Sequence, residues 1–197
     1  MKTTKVLQLA EIFFKILTGL TSLALLCLIF ISIHSSFSPE TYEKLTINND
    51  RNLTFNSDTP SSQNTYKEIK LVYFNKLVTS SKLFLLFEIM LTTIFFLLIL
   101  RELIKFIKSI KDYNSFHRKN SKYFTTIGKY FSYLLILQIL TSIIPLTIKN
   151  AEENYNSFLN FNLTPFIFYA AGILLCFTIG QVFKEGERLK IESELTI

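Results

Sequence analysis

Four stretches of this chain are apolar on every side. Residues 16–33 carry no charge over 18 positions, and residues 83–100 carry one, Glu88. Residues 127–148 hold Lys129 near their start and no later charge, and residues 163–183 are uncharged. Crossing a bilayer core of about 30 Å takes about 20 apolar residues in a helix, and a helix satisfies its own backbone groups where water cannot. All four stretches reach that length. Helices of a water-soluble bundle would carry polar stripes every three to four positions, yet residues 89–100 and 167–177 show no charged stripe. The pattern predicts an all-α integral membrane protein, a four-helix transmembrane bundle with a polar extracytoplasmic loop. Its spans fall at about 16–33, 83–104, 127–148 and 163–183, in one transmembrane domain over residues 1–197. The outer loop is 34–82, the cytoplasmic loop 105–126 and the cytoplasmic tail 184–197. Pro165 falls near the start of the fourth span, where a missing N–H costs little. Pro145, three residues before the end of the third, is read as a kink near the interface. The first apolar run is longer than the about 7–15 residues of a signal peptide's core, and no A-x-A site follows, so it reads as a retained anchor.

Composition agrees. Of 197 residues, 49% are hydrophobic and 18% charged, against about a quarter charged in soluble domains. The net charge is +6, and its placement sets orientation. Lys2, Lys5 and Lys15 precede the first span. Arg101, Lys105, Lys108, Lys111, Arg118, Lys119 and Lys122 follow the second, against Glu102 and Asp112 alone. After the third, Lys149 faces Glu152 and Glu153. The outer loop balances six basic residues with five acidic ones. By the positive-inside rule the leader, the middle loop and both termini are cytoplasmic. The basic charge therefore reads as topology, with the lipid bilayer as partner and no direct nucleic-acid binding.

Two parts of the outer loop suggest local structure. Leu45-Thr46-Ile47 and Leu53-Thr54-Phe55 alternate around Asn48-Asn49-Asp50-Arg51-Asn52, which predicts a hairpin; a solvated irregular loop is the alternative. From 66 to 82, Ile69, Val72, Tyr73, Lys76 and Leu77 have helical spacing, which predicts an amphipathic helix leading into span two. On the inner side, Leu103, Phe106, Ile107 and Ile110 line one face, with Lys105, Lys108 and Lys111 off it. Span two is expected to run on as a basic amphipathic helix whose lysines meet anionic headgroups. A docking face for a cytoplasmic partner is the alternative.

Candidate chemistry is sparse. Glu88 is the acid within the apolar stretch 83–100, and an intramembrane carboxylate is by default a functional hypothesis: it could bind a cation or relay a proton. The competing reading is structural, a Glu hydrogen-bonded inside the bundle, with Gln138 in span three a partner if the spans are suitably staggered. Gly172, Cys176 and Gly180 make a small-residue stripe at i, i+4 and i+8 on span four. Such a stripe lets another helix approach closely, and a homodimer seam is the sharper alternative. Cys27 and Cys176 read as packing residues. His34 and His117 lie on opposite sides of the membrane and cannot share a metal. No catalytic motif and no cofactor- or metal-binding pattern is present, so the expectation is a protein that is not an enzyme.

Two cytoplasmic segments carry a resemblance. The tail has Phe183, Gly186, Leu189, Glu192, Leu195, Thr196 and Ile197 in the pattern F-x-x-G-x-x-L-x-x-E-x-x-L-T-[VI]. The inner loop has Phe116 and Asn120 in the pattern P-F-x-x-x-N, with Ser115 in place of the proline, followed by Ile127-Gly128. With the four spans, these resemble the DUF2975 family of bacterial membrane proteins. The resemblance implies no assigned activity. Members are often encoded near a small helix-turn-helix regulator, which implies a regulatory role: sensing envelope state and binding that regulator. A small transporter or ion-conducting subunit using Glu88 is the alternative function. Read physically, both segments lie on one side of the membrane, and Phe183, Leu189 and Leu195 are expected to pack against Phe116 as one cytoplasmic cap, several apolar anchors together offsetting the cost of ordering the tail. The alternatives are a partner-docking tail and a frayed end.

Overall fold

The computed structural model describes residues 2–38, 45–48, 53–55, 71–73, 77–112, 118–149, 155–158 and 163–195. The protein is all-α in its bulk. Its helices are α1 (Lys2–Phe37), α2 (Thr79–Asp112), α3 (Arg118–Ile143) and α4 (Leu163–Leu195). Each contains a stretch long and apolar enough to cross a membrane. At 1.5 Å per residue the 33 residues of α4 extend about 50 Å, well beyond a bilayer core of about 30 Å. Hydroxyls inside the apolar stretches return their hydrogen bonds to their own helix. Thr18 Oγ1 donates to the Phe14 carbonyl at 2.7 Å, Ser22 Oγ to Thr18 at 2.7 Å, and Ser132 Oγ to Gly128 at 3.0 Å. A hydroxyl satisfied in this way carries no unpaired donor into lipid.

By contacts the chain divides into two compact units. The first comprises residues 1–25, 92–136 and 165–197, and the second 26–91 and 137–164. The core of the first unit is Ile99 from α2, Ile127 and Leu134 from α3 and Cys176 from α4, with Phe95, Phe131 and Tyr169 packed around it.

Among the described residues the second unit holds five short strands besides its helical segments. β1 (Leu45–Asn48) pairs antiparallel with β2 (Leu53–Phe55), Leu45 opposite Phe55 and Ile47 opposite Leu53. This is the hairpin expected from the alternation. On its other edge β1 pairs with β3 (Leu71–Tyr73), giving the order β2-β1-β3. The amphipathic helix expected over 66–82 is therefore corrected. Residues 71–73 are strand, α2 begins only at Thr79, and residues 66–70 and 74–76 lie outside the described set. Leu71-Val72-Tyr73 is a good strand-former, and a two-stranded hairpin is marginal until a third strand covers its open edge.

The third span is corrected too. α3 stops at Ile143, not 148, and Pro145 ends the helix rather than kinking it. Pro145 offers no N–H and disfavours helical backbone at Ile144. The last turn tightens accordingly, with the Ile144 amide donating to the Thr141 carbonyl at 3.3 Å. Beyond the proline, β4 (Leu146–Lys149) pairs with β5 (Tyr155–Phe158), Leu146 opposite Phe158. Leu146 is fully buried, as are Leu77, Leu85 and Leu86 in the same unit.

Candidate functional site

Of the residues singled out in the loop after span two and in the tail, Asn120 and Phe183 fall in the first unit at one aromatic junction. Phe106 of α2, Phe124 of α3 and Phe183 of α4 meet there. The Phe106 and Phe124 rings are 4.6 Å apart edge to face, Phe106 and Phe183 are 5.6 Å apart edge to face, and Phe124 and Phe183 stack at 5.7 Å. Edge-to-face and offset-stacked rings at these distances attract beyond the area they bury. Beside them Ser121 Oγ donates to the Gly180 carbonyl at 2.8 Å, a bond across 59 residues of sequence that ties the first turns of α3 to α4. Asn120, one residue earlier, is completely buried.

From this junction α4 continues without a break. Gly186 does not end it. The about 1 kcal/mol that glycine costs in a helix is offset by the strong helix formers that follow and by ion pairs at helical spacing. Arg188 lies 3.4 Å from Glu185 and 3.3 Å from Glu192, and Lys190 lies 3.7 Å from Glu194. The expected cap is corrected in part. Phe183 packs, on Phe106 and Phe124, but Leu189 is 59% exposed and Leu195 82%, so neither closes on the body of the chain. Phe116 and Thr196 lie outside the described residues. The largely charged tail is thus a continuous helix on which Leu189, Ile191 and Leu195 are uncovered.

The small-residue stripe of span four faces α3. A Cβ added at Gly172 would meet the Phe131 ring at 3.0 Å, and one at Gly180 would lie 3.5 Å from the Ser121 carbonyl oxygen. Gly128 of α3 reciprocates: a Cβ there would sit 3.3 Å from Phe177 and 3.4 Å from Cys176. Small residues on both helices let the two backbones close together.

Glu88 and Gln138 both belong to the second unit. Glu88 is buried, as are Ser81, Thr141 and Ser142. The Gln138 carbonyl accepts from Ser142 Oγ at 2.7 Å and Thr141 Oγ1 at 3.3 Å. Among the described residues no His, Cys, Asp and Glu side chains gather as a metal site.

One charged residue was missed by the sequence reading. Glu11 of α1 is nearly buried, pairs with Lys15 at 2.7 Å, and reaches Lys111 of α2 at 3.9 Å. The signal available was the Glu11–Lys15 spacing of i, i+4; the contact with Lys111, 100 positions away, had none.

Four helices of this length and apolarity define the class: a multi-span membrane protein. Its particular membership follows from a family model described as a protein of unknown function (DUF2975), which matches residues 57–197. The chain belongs to that family. No curated protein and no solved structure matches it.

Proposed function

We propose that this protein is a non-enzymatic regulatory component of the bacterial inner membrane, with both termini in the cytoplasm, and that its tail helix binds a cytoplasmic regulator protein. The observation that carries the reading is the end of α4. Ile191 and Leu195, four residues apart and so on one face, stand exposed, with Leu189 exposed to one side, on a helix that is anchored at Phe183 and extends past the apolar span. Apolar anchors on a rooted helix are what a partner's groove takes up, and the tail offers recognition rather than a reacting group. The orientation rests on the basic residues after span two. A small helix-turn-helix regulator is the partner that the family resemblance implies.

A photo-crosslinking residue in place of Leu195 tests this in intact cells. The expected outcome is one protein adduct of defined mass, lost when Leu189→Asp is added. Adducts with lipid alone would end the reading. A transporter using Glu88 is the second reading, favoured by the burial of that carboxylate in a unit with buried Ser81, Thr141 and Ser142. It predicts a proton or cation flux in liposomes that Glu88→Gln abolishes.

A further inference from the structure

The geometry points to a binding site for an anionic phospholipid headgroup at the contact between α1 and α2, built from Lys15, Lys108 and Lys111 around the Glu11 carboxylate. Glu11 is only 8% exposed, so the carboxylate is a fixed centre and not a mobile surface charge. Lys15 Nζ holds one of its oxygens at 2.7 Å. Lys111 Nζ stands 3.9 Å from the other, within ion-pair reach but beyond hydrogen-bond length. Lys108, one turn earlier on α2, is exposed, and its charge acts on Glu11 more weakly than those of Lys15 and Lys111. Two cations, one from each helix, pair with one anion, and Lys108 stands one turn away, which leaves an excess of positive charge on two helices. Lys105 is matched by Glu102, Lys190 by Glu194, and Arg188 lies between Glu185 and Glu192.

An ammonium offers three donors and no acceptor. The side chains of Lys15 and Lys111 are 54% and 40% exposed, so donors not turned to Glu11 face outward. A phosphodiester oxygen is the acceptor that such an arrangement takes. The source is a lipid rather than a soluble phosphate because the same part of α1 presents Ile12, Phe13 and Ile16 uncovered, surface on which acyl chains would lie. The level also fits. Lys111 lies seven residues beyond the end of the apolar stretch at 104, about 10 Å along the helix. Headgroup layers add about 5–8 Å on each side of the core, and a lysine stem spans the remainder by reaching back toward it. A bound phosphate would take up the excess charge and strengthen the contact of α1 with α2.

The test uses the full-length protein in mild detergent, equilibrated with equimolar phosphatidylglycerol and phosphatidylcholine of matched chains. Native mass spectrometry then counts the lipids retained. A lysine near an anionic surface gives about a five-fold preference, so retained phosphatidylglycerol should exceed phosphatidylcholine by about five-fold or more. The double variant Lys108→Gln/Lys111→Gln should bring the ratio close to one. Lys111→Arg keeps the charge and should hold the parent ratio, and if the double variant does not fold the single variant Lys111→Gln, which should lower the ratio, decides in its place. Lys190→Gln, remote in sequence and paired with Glu194, should also leave it unchanged. A parent ratio near one, or a double variant that keeps the parent ratio, overturns the site. Displacement of the lipid by millimolar glycerol 1-phosphate would assign the site to a soluble phosphate ester and overturn it equally.

Discussion

Gly172 and Gly19 make a matched pair at the scale of single residues. Both are glycines in apolar helices, and only their surroundings differ. A Cβ at Gly172 would press on the Phe131 ring at 3.0 Å, whereas a Cβ at Gly19 would meet nothing within 4 Å. Gly172→Val should therefore destabilise the protein by roughly 1–3 kcal/mol, the usual cost of overpacking a close contact. Gly19→Ala should be neutral or stabilising by up to about 1 kcal/mol, since alanine is the better helix former. Thermal unfolding in detergent compares the two, and equal effects would mean that the α3–α4 contact is not close. Glu88 belongs to the same scale. Glu88→Gln keeps the shape and hydrogen-bonding capacity while removing the ionisable group, so a structural role predicts little change in the melting temperature.

At the scale of the element, α4 has a root and a free end. Phe183 lies in the aromatic junction, and Leu189 and Leu195 lie outside it. Phe183→Ala should cost roughly 2–3 kcal/mol, below the figure for a fully buried Phe because the ring is only half-buried. Leu189→Asp should stay within about 0.5 kcal/mol, as exposed substitutions do, while abolishing partner capture. Chemical denaturation in detergent separates the two effects. If Leu189→Asp proved as damaging as Phe183→Ala, the tail would be packed on the chain and not available for docking. Hydrogen exchange reports the same asymmetry: amides near Phe183 should exchange slowly, and those near Leu195 should fray.

For the whole molecule the decisive property is threading. The six basic residues of the loop at 105–126 predict, by the positive-inside rule, that this loop faces the cytoplasm. With Cys27 and Cys176 replaced, a cysteine at Ser61 should react with a membrane-impermeant thiol reagent in intact cells, and one at Lys119 should react only after lysis. The reverse labelling would invert the protein and move the exposed tail helix to the other side, away from any cytoplasmic regulator.

Hydropathy by itself determined where four helices would lie, because apolar length is a local quantity and a bilayer reads it locally. Alternation alone placed the β1–β2 hairpin, whose partners are close in sequence. The tail motif, too, was legible as a pattern of residues. Other features depended on contacts between distant parts of the chain. Spacing at 66–82 favoured a helix, but the free edge of β1 drew Leu71–Tyr73 into a strand. The third apolar run continued through Pro145, and β5 was needed to pair with what followed it. The small-residue stripe on α4 left its partner open between another span and a second copy, and the stripe's contacts with Ser121 and Phe131 assign it to α3. Glu11 drew no notice until Lys111 stood opposite it. Helical spacing cannot say which face will find a neighbour; that is decided only when the helices pack, since burial and ion pairing are properties of the contact and not of either strand or helix alone.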